Sequence, residues 1–114
     1  MKISELAMRA GISAHTIRYY ERIGLMPPAA RDGATHRQYD ERALTWIEFV
    51  GRLRTTGMPI RQMLRYAELR AAGSSTEAER KVLLTEHREA VRRHVDELVA
   101  CLGVLDAKIA GYGD

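Results

Sequence analysis

Cysteine is almost absent from this chain: Cys101 is the only one in 114 residues. No intrachain disulfide can form, and no cysteine–histidine run has the spacing of a metal site. Long apolar runs are missing as well. The first is broken by Glu5 and Arg9, and no segment approaches the length that spans a bilayer or resembles a signal peptide. The expected location is the cytoplasm, with no membrane partner. There is no nucleophile elbow, no phosphate-cradling glycine loop and no pair of carboxylates in a recognisable frame, which argues against an enzyme. Proline is confined to three positions, Pro27, Pro28 and Pro59. From Thr76 to Gly103 neither proline nor glycine interrupts the chain, so a long helix is permitted there.

The composition is that of a globular protein, 46% hydrophobic and 29% charged. The charge is uneven. Residues 1–73 carry 12 Lys+Arg against 7 Asp+Glu, and residues 74–114 carry 6 against 8. Eleven of the 12 cations in the first part are arginine, the side chain suited to planar contacts with phosphates and base edges. A basic front and a mildly acidic back suggest a division of labour within one small domain and its appendage.

Local signals divide the chain. Ser4 is placed to cap a helix with apolar positions Ile3, Leu6, Ala7 and Ala10, ended by Gly11. Ser13 caps a second helix, about 14–22, closed by Gly24. Two short helices around a tight glycine turn predict a helix-turn-helix. Pro27 and Pro28 stop any continuation. Asp32-Gly33 suits a hairpin turn between short strands near 25–30 and 36–40, a small wing. Asp40 caps a third helix over 41–56, Gly57 ends it, and Pro59 opens a fourth over 60–72. Gly73-Ser74-Ser75 has the composition of a hinge. The expected units are residues 1–73 and a helix over 76–110.

In that last helix Leu84, Val91, Val95, Leu98, Leu102, Leu105 and Ile109 form an apolar seam. From Val91 the steps alternate four and three, the a/d pattern of a coiled coil, with Arg88 at the position between Leu84 and Val91. One helix cannot bury such a seam alone, and a second copy of the chain is the simplest partner. His87, His94 and Cys101 recur every seven residues beside the seam. Across a dimer they could suit Zn²⁺ or Cu⁺, or be plain flanking residues. Seven helical residues span about 10 Å, too far for one chain to clamp one ion. No metal and no cofactor are expected. Trp46, Phe49, Val50, Leu53, Met58 and Met63 fall at helical spacing and read as core between the helical pairs.

The stretch TIRYYERIGL, residues 16–25, places two tyrosines between Arg18 and Arg22. A core needs neither arginine and a plain solvated face needs neither tyrosine. The combination suits a surface that meets something anionic and partly apolar. With KISELAMRAGISAHTIRYYERIGLMPP, the following HRQYDERAL and LRTTGMPIRQM in this order before a terminal long helix, the chain resembles the MerR family of transcriptional regulators over essentially its whole length. The resemblance implies a mainly α fold: a winged helix-turn-helix DNA-binding domain, a second helical pair, and a long dimerisation helix forming an antiparallel coiled coil. It places Arg18, Tyr19 and Tyr20 of the second helix on DNA, with Tyr20 largely core. Ser13, His15 and Thr16 at that helix's start are candidates for phosphate or base contacts. The resemblance places Arg37 and Tyr39 of the wing on the DNA backbone, with His36 a contact or a spacer. Arg54 and Arg61 flank the turn of the second helical pair and are candidates for flanking phosphates.

The resemblance further implies a homodimer on a near-palindromic promoter operator. By the same resemblance, the effector-bound dimer would bend and untwist the spacer so that the two promoter elements realign for RNA polymerase. Members sensing metals or oxidation use cysteines near the start of the dimer helix or in a loop after it; this chain has none there, and after the helix only GYGD follows. The segment WIEFVGRLRTTGMPIRQMLRYAELRAAG is most similar to the small aldehyde- and electrophile-responsive branch. Some members there carry a cysteine where this chain has Arg52, so a thiol switch in that helix is excluded. A non-covalent small-molecule effector, or none, is compatible with the sequence. An effector-independent repressor and a DNA-bending accessory protein are the alternative functions.

Overall fold

The computed structural model describes residues 1–31 and 37–113, with the side chain of Arg31 left out of the account. Five α-helices, a two-stranded sheet and one 3₁₀ turn make up the described residues. The chain forms two compact units, Met1–Arg80 and Lys81–Asp114.

In the first unit, α1 (Ile3–Ala10) and α2 (Ala14–Ile23) are joined by a turn that depends on Gly11. Gly11 has φ 71°, left-handed backbone that side chains disfavour, and the Ile12 amide donates back to the Ala7 carbonyl at 3.2 Å. Ser13 caps α2 as expected, its Oγ accepting from the Thr16 amide at 3.0 Å. Gly24, at φ 85°, closes α2 and lets the Leu25 amide return to the Tyr20 carbonyl at 2.9 Å. Ser4 is not a cap. Helix α1 starts earlier, at Ile3, with extended Lys2 before it; the Lys2 carbonyl accepts from the Leu6 amide, and Glu5 suits the first-turn dipole.

The wing strands are shorter than the sequence suggests. Strand β1 is Ala30–Arg31 and β2 is Arg37–Gln38, antiparallel, with Ala30 opposite Gln38 and Arg31 opposite Arg37. Pro27 and Pro28 have no amide to donate to a ladder, and Leu25 and Met26 are drawn into the core instead. Tyr39, just past β2, gives its amide to the Met1 carbonyl at 2.8 Å. The expected Asp32-Gly33 turn and His36 lie outside the described residues.

Asp40 caps α3 (Glu41–Thr55), its Oδ1 accepting from the Ala43 amide at 3.1 Å. Pro59 precedes α4 (Ile60–Ala72). Leu6, Ile17, Leu25 and Val50, from α1, α2, the loop after α2, and α3, are fully buried. Trp46, Leu53, Met58 and Met63 extend this core between α3 and α4, as their spacing predicts. The Trp46 indole N–H donates to the Leu25 carbonyl at 2.8 Å, tying α3 to the segment that leaves α2.

Ser74–Thr76 forms a 3₁₀ turn, η1, and buried Thr76 anchors it. The Thr76 hydroxyl lies 2.6 Å from the Leu69 carbonyl and 2.8 Å from that of Gly73, and accepts from Arg80 Nε at 3.0 Å. Satisfying a buried hydroxyl orders a segment whose composition alone favours flexibility. Helix α5 (Glu77–Ala110) carries the second unit.

Replacing Thr76 with valine keeps the shape and removes these bonds. The Thr76→Val protein should lose about 1–3 kcal/mol of folding stability, read as a lower urea midpoint. An unchanged midpoint would show that the turn is not anchored through this hydroxyl.

Candidate nucleic-acid interface

Helix α2 is amphipathic. Ile17 and Tyr20 point into the core, whereas His15, Arg18, Tyr19 and Arg22 are exposed. Their spacing, three, four and seven residues on from His15, puts all four on one face. The Arg22 guanidinium lies 5.4 Å from the centre of the Tyr19 ring, so the two form a cation–π pair at the surface. Arg18 is exposed, with no carboxylate partner among the described residues. The stripe thus offers a guanidinium, a phenol and an imidazole along one helix, a set able to donate to phosphates and to base edges. Arg22 was quoted in the motif without being singled out as a site residue. Its position four residues after Arg18 was the available signal.

The other candidates separate into distinct surroundings. Ser13 and Thr16 serve the helix start, their hydroxyls 2.9 Å apart. The Tyr20 hydroxyl accepts from Arg54 Nη1 at 2.7 Å, so Tyr20 is core and Arg54, at the end of α3, is held against the reading helix. Arg61 is exposed in the first turn of α4. Arg37 and Tyr39 converge on Glu21, the residue that no sequence signal marked. Glu21 Oε1 accepts from the Tyr39 hydroxyl at 2.7 Å and from Arg37 Nη1 at 3.3 Å, while Oε2 accepts from the Ala29 amide at 3.1 Å. Tyr39 is only 5% exposed. The Glu21 carboxylate of α2 therefore holds the root of the wing.

Burial, and then the adjacent Glu21 carboxylate, push the Tyr39 phenol up from 10 to about 12; Arg37 opposes this.

On α5, seam residues Val95, Leu98, Leu102, Leu105 and Ile109 are exposed, Leu102 by 58% and Ile109 by 68%. Leu84 and Val91 are half-buried. Val99 adds to the apolar surface beside the seam. Cys101 is exposed, and His94 Nδ1 lies 3.7 Å from Glu97 Oε2. Among the described residues of this single chain, no three His, Cys, Asp or Glu side chains are grouped to hold a metal ion. No helix among them is long and apolar enough to cross a membrane.

A helix-turn-helix with a basic, partly aromatic outer face, a wing bonded to its second helix, and a long helix carrying an apolar seam define a DNA-binding transcriptional regulator. Comparison with known proteins makes the assignment specific. The family described as "MerR HTH family regulatory protein" matches residues 1–69, and that described as "MerR, DNA binding" matches residues 44–108. The chain belongs to the MerR family. It is 39% identical over 89 residues to the HTH-type transcriptional regulator AdhR of Bacillus subtilis, covering 78% of this chain and 64% of that relative's length. It superposes on HiNmlR, a MerR family regulator lacking the sensor domain and bound to promoter DNA, with TM-score 0.88 and 32% identity, over 97% of this chain and 88% of that one. A MerR family regulator from Bacillus thuringiensis gives TM-score 0.82 and 28% identity, covering 97% of each chain.

The raised Tyr39 phenol has a measurable consequence. The folded state holds this proton more tightly than the unfolded chain, so its contribution to stability is full below pH 10 and is lost as pH rises through about 12. In an ultraviolet titration Tyr39 should contribute a late ionisation step near pH 12, and Tyr39→Phe should abolish it. The Tyr39→Phe protein should also lose stability less steeply across this range. A titration in which all tyrosines ionise together near pH 10 would refute the buried Tyr39–Glu21 bond.

Proposed function

We propose that the chain acts as a homodimer that binds a near-palindromic promoter operator and controls transcription by distorting the spacer DNA presented to RNA polymerase. The observation that carries this reading is the exposed His15–Arg18–Tyr19–Arg22 face on the second helix of a helix-turn-helix. Such a helix enters the major groove, where arginine reads guanine edges or grips phosphate and tyrosine donates to phosphate. Ser13 and Thr16 lie at the positive end of the same helix. In this reading Arg54 and Arg61 grip flanking phosphates, and Arg37 and Tyr39, bonded to Glu21, support the wing. Likeness to a DNA-bound regulator at 32% identity supports the same use of this face.

The dimer follows from α5. A single helix displaying Val95, Leu98, Leu102, Leu105 and Ile109 to water leaves apolar surface that pairing would bury. Antiparallel pairing of two such helices sets two reading helices at a fixed separation, which matches a two-fold operator. The protein's contribution at the promoter is then grip and deformation energy on the DNA between the half-sites.

Nuclease footprinting across the DNA flanking the gene tests the whole reading. The expected result is protection of a near-palindrome between two promoter elements. Protection elsewhere would indicate a repressor or accessory role, and none at low salt would overturn DNA binding. Arg18→Ala should weaken specific binding by about 1–3 kcal/mol. Unchanged affinity would remove Arg18 from the interface. Leu102→Glu puts a charge in the seam without disturbing the first unit. Sedimentation should show a single-chain mass and operator affinity should fall, whereas a persisting dimer would exclude this seam as the interface.

A further inference from the structure

A cleft of about 440 Å³ lies at the root of the wing, bordered by the segment after α2, both wing strands, the start of α3 and the end of α4. Its volume is in the range that holds small organic ligands, about 300–1,000 Å³. The reading of the chain as a DNA-binding regulator makes no use of it.

The lining is chemically two-sided. Pro27 and Pro28 present exposed apolar surface, and the buried Met26 and Trp46 side chains lie beneath it as its floor. Arg42 and Arg70 supply two guanidiniums, and neither has a carboxylate partner among the described residues. Arg70 is held by an aromatic ring instead, its Cζ standing 4.3 Å from the centre of Trp46. A guanidinium stacked by its face keeps its in-plane N–H donors available, the fork that suits a carboxylate. Asp40 is the one acid among the described lining residues, and its Oδ1 already accepts from the Ala43 amide as the cap of α3. Tyr39 lines the cleft too, with its hydroxyl turned to Glu21.

The geometry points to a small-molecule site: this cleft binds a compact organic anion with an apolar body, an aromatic carboxylate being the matching chemistry. Its carboxylate meets Arg42 and Arg70 and its ring lies over Pro27 and Pro28. A nucleic-acid phosphate fits the arginines but leaves that apolar surface without a use. A neutral apolar ligand leaves two cations unpaired. Each half of the lining thus selects against one alternative, and both halves together select an amphiphilic anion.

Trp46 is the only tryptophan in the chain. Its indole N–H gives one resolved signal in a proton–nitrogen correlation spectrum of the isotope-labelled full chain, and that signal reports on the cleft. Naphthoate is the probe and neutral naphthamide its control. The expected result is a saturable shift of the Trp46 signal with naphthoate, with naphthamide binding about tenfold or more weakly. Arg42→Gln should weaken naphthoate about tenfold, with the Trp46 signal keeping its folded position, and Arg42→Lys should recover part of the loss. The wild-type comparison of acid and amide stands even if a variant fails to fold. No shift with naphthoate overturns the proposal, as does equal affinity for the amide or unchanged binding in folded Arg42→Gln. If Arg42→Gln weakens promoter-DNA binding while naphthoate leaves Trp46 unmoved, Arg42 serves the DNA backbone and the proposal is likewise overturned.

Discussion

The carboxylate of Glu21 is the contact on which the geometry of the DNA-binding unit depends. Its side chain is 9% exposed and carries a charge, a combination tolerated only when the charge is paired and its lone pairs are bonded. Three partners meet that demand: a backbone amide after α2, a guanidinium of β2, and a phenol just beyond it. Removing a partner would leave the mostly buried Glu21 oxygens with unmet hydrogen-bonding capacity. The two elements that would lie against DNA, the reading helix and the wing, are thereby referenced to one another through a single side chain. Neither strand of a two-residue ladder could hold the wing in place alone.

Around that contact the unit is braced by bonds from core side chains to distant backbone or surface groups. Trp46 fixes the segment leaving α2 through the Leu25 carbonyl, and Tyr20 holds Arg54 at the end of α3. Trp46 also stacks near-parallel to Tyr66, with ring centres 5.9 Å apart, joining α3 to α4. Each aromatic thus contributes apolar area to the core and one polar atom or face that orients a neighbour. The same arrangement leaves Arg18, Arg61 and the outer face of α2 free of internal duties.

Much of the architecture was legible because its signals are local. Ser13 and Asp40 cap their helices where the sequence placed them, and Gly11, Gly24 and Pro59 end or open helices at the expected positions. A cap bonds an amide two or three residues away, so it can be read without knowing the fold. Ser4 failed as a cap because Ile3, half-buried, is already in the helix. The 3₁₀ turn over Ser74–Thr76 was not legible, because it is anchored by Thr76 reaching back to Leu69, a tertiary contact that composition does not encode. The exposed α2 stripe was legible by period, and period would have added Arg22 to it.

The sequence by itself determined the helix order, the caps, the apolar seam and the basic front, because each rests on periodicity or on neighbours within a few residues. Those features, with the motifs around TIRYYERIGL, were enough to indicate the family. Only the tertiary structure decided what the polar side chains do. Tyr20 bonds a residue 34 positions away and Tyr39 one 18 positions away, so both turn inward. The cleft at the wing root, likewise, exists only where segments distant in sequence converge. Chain proximity dictates backbone conformation, whereas the fate of a buried hydroxyl or charge is settled by which partner the fold brings within about 3 Å of it.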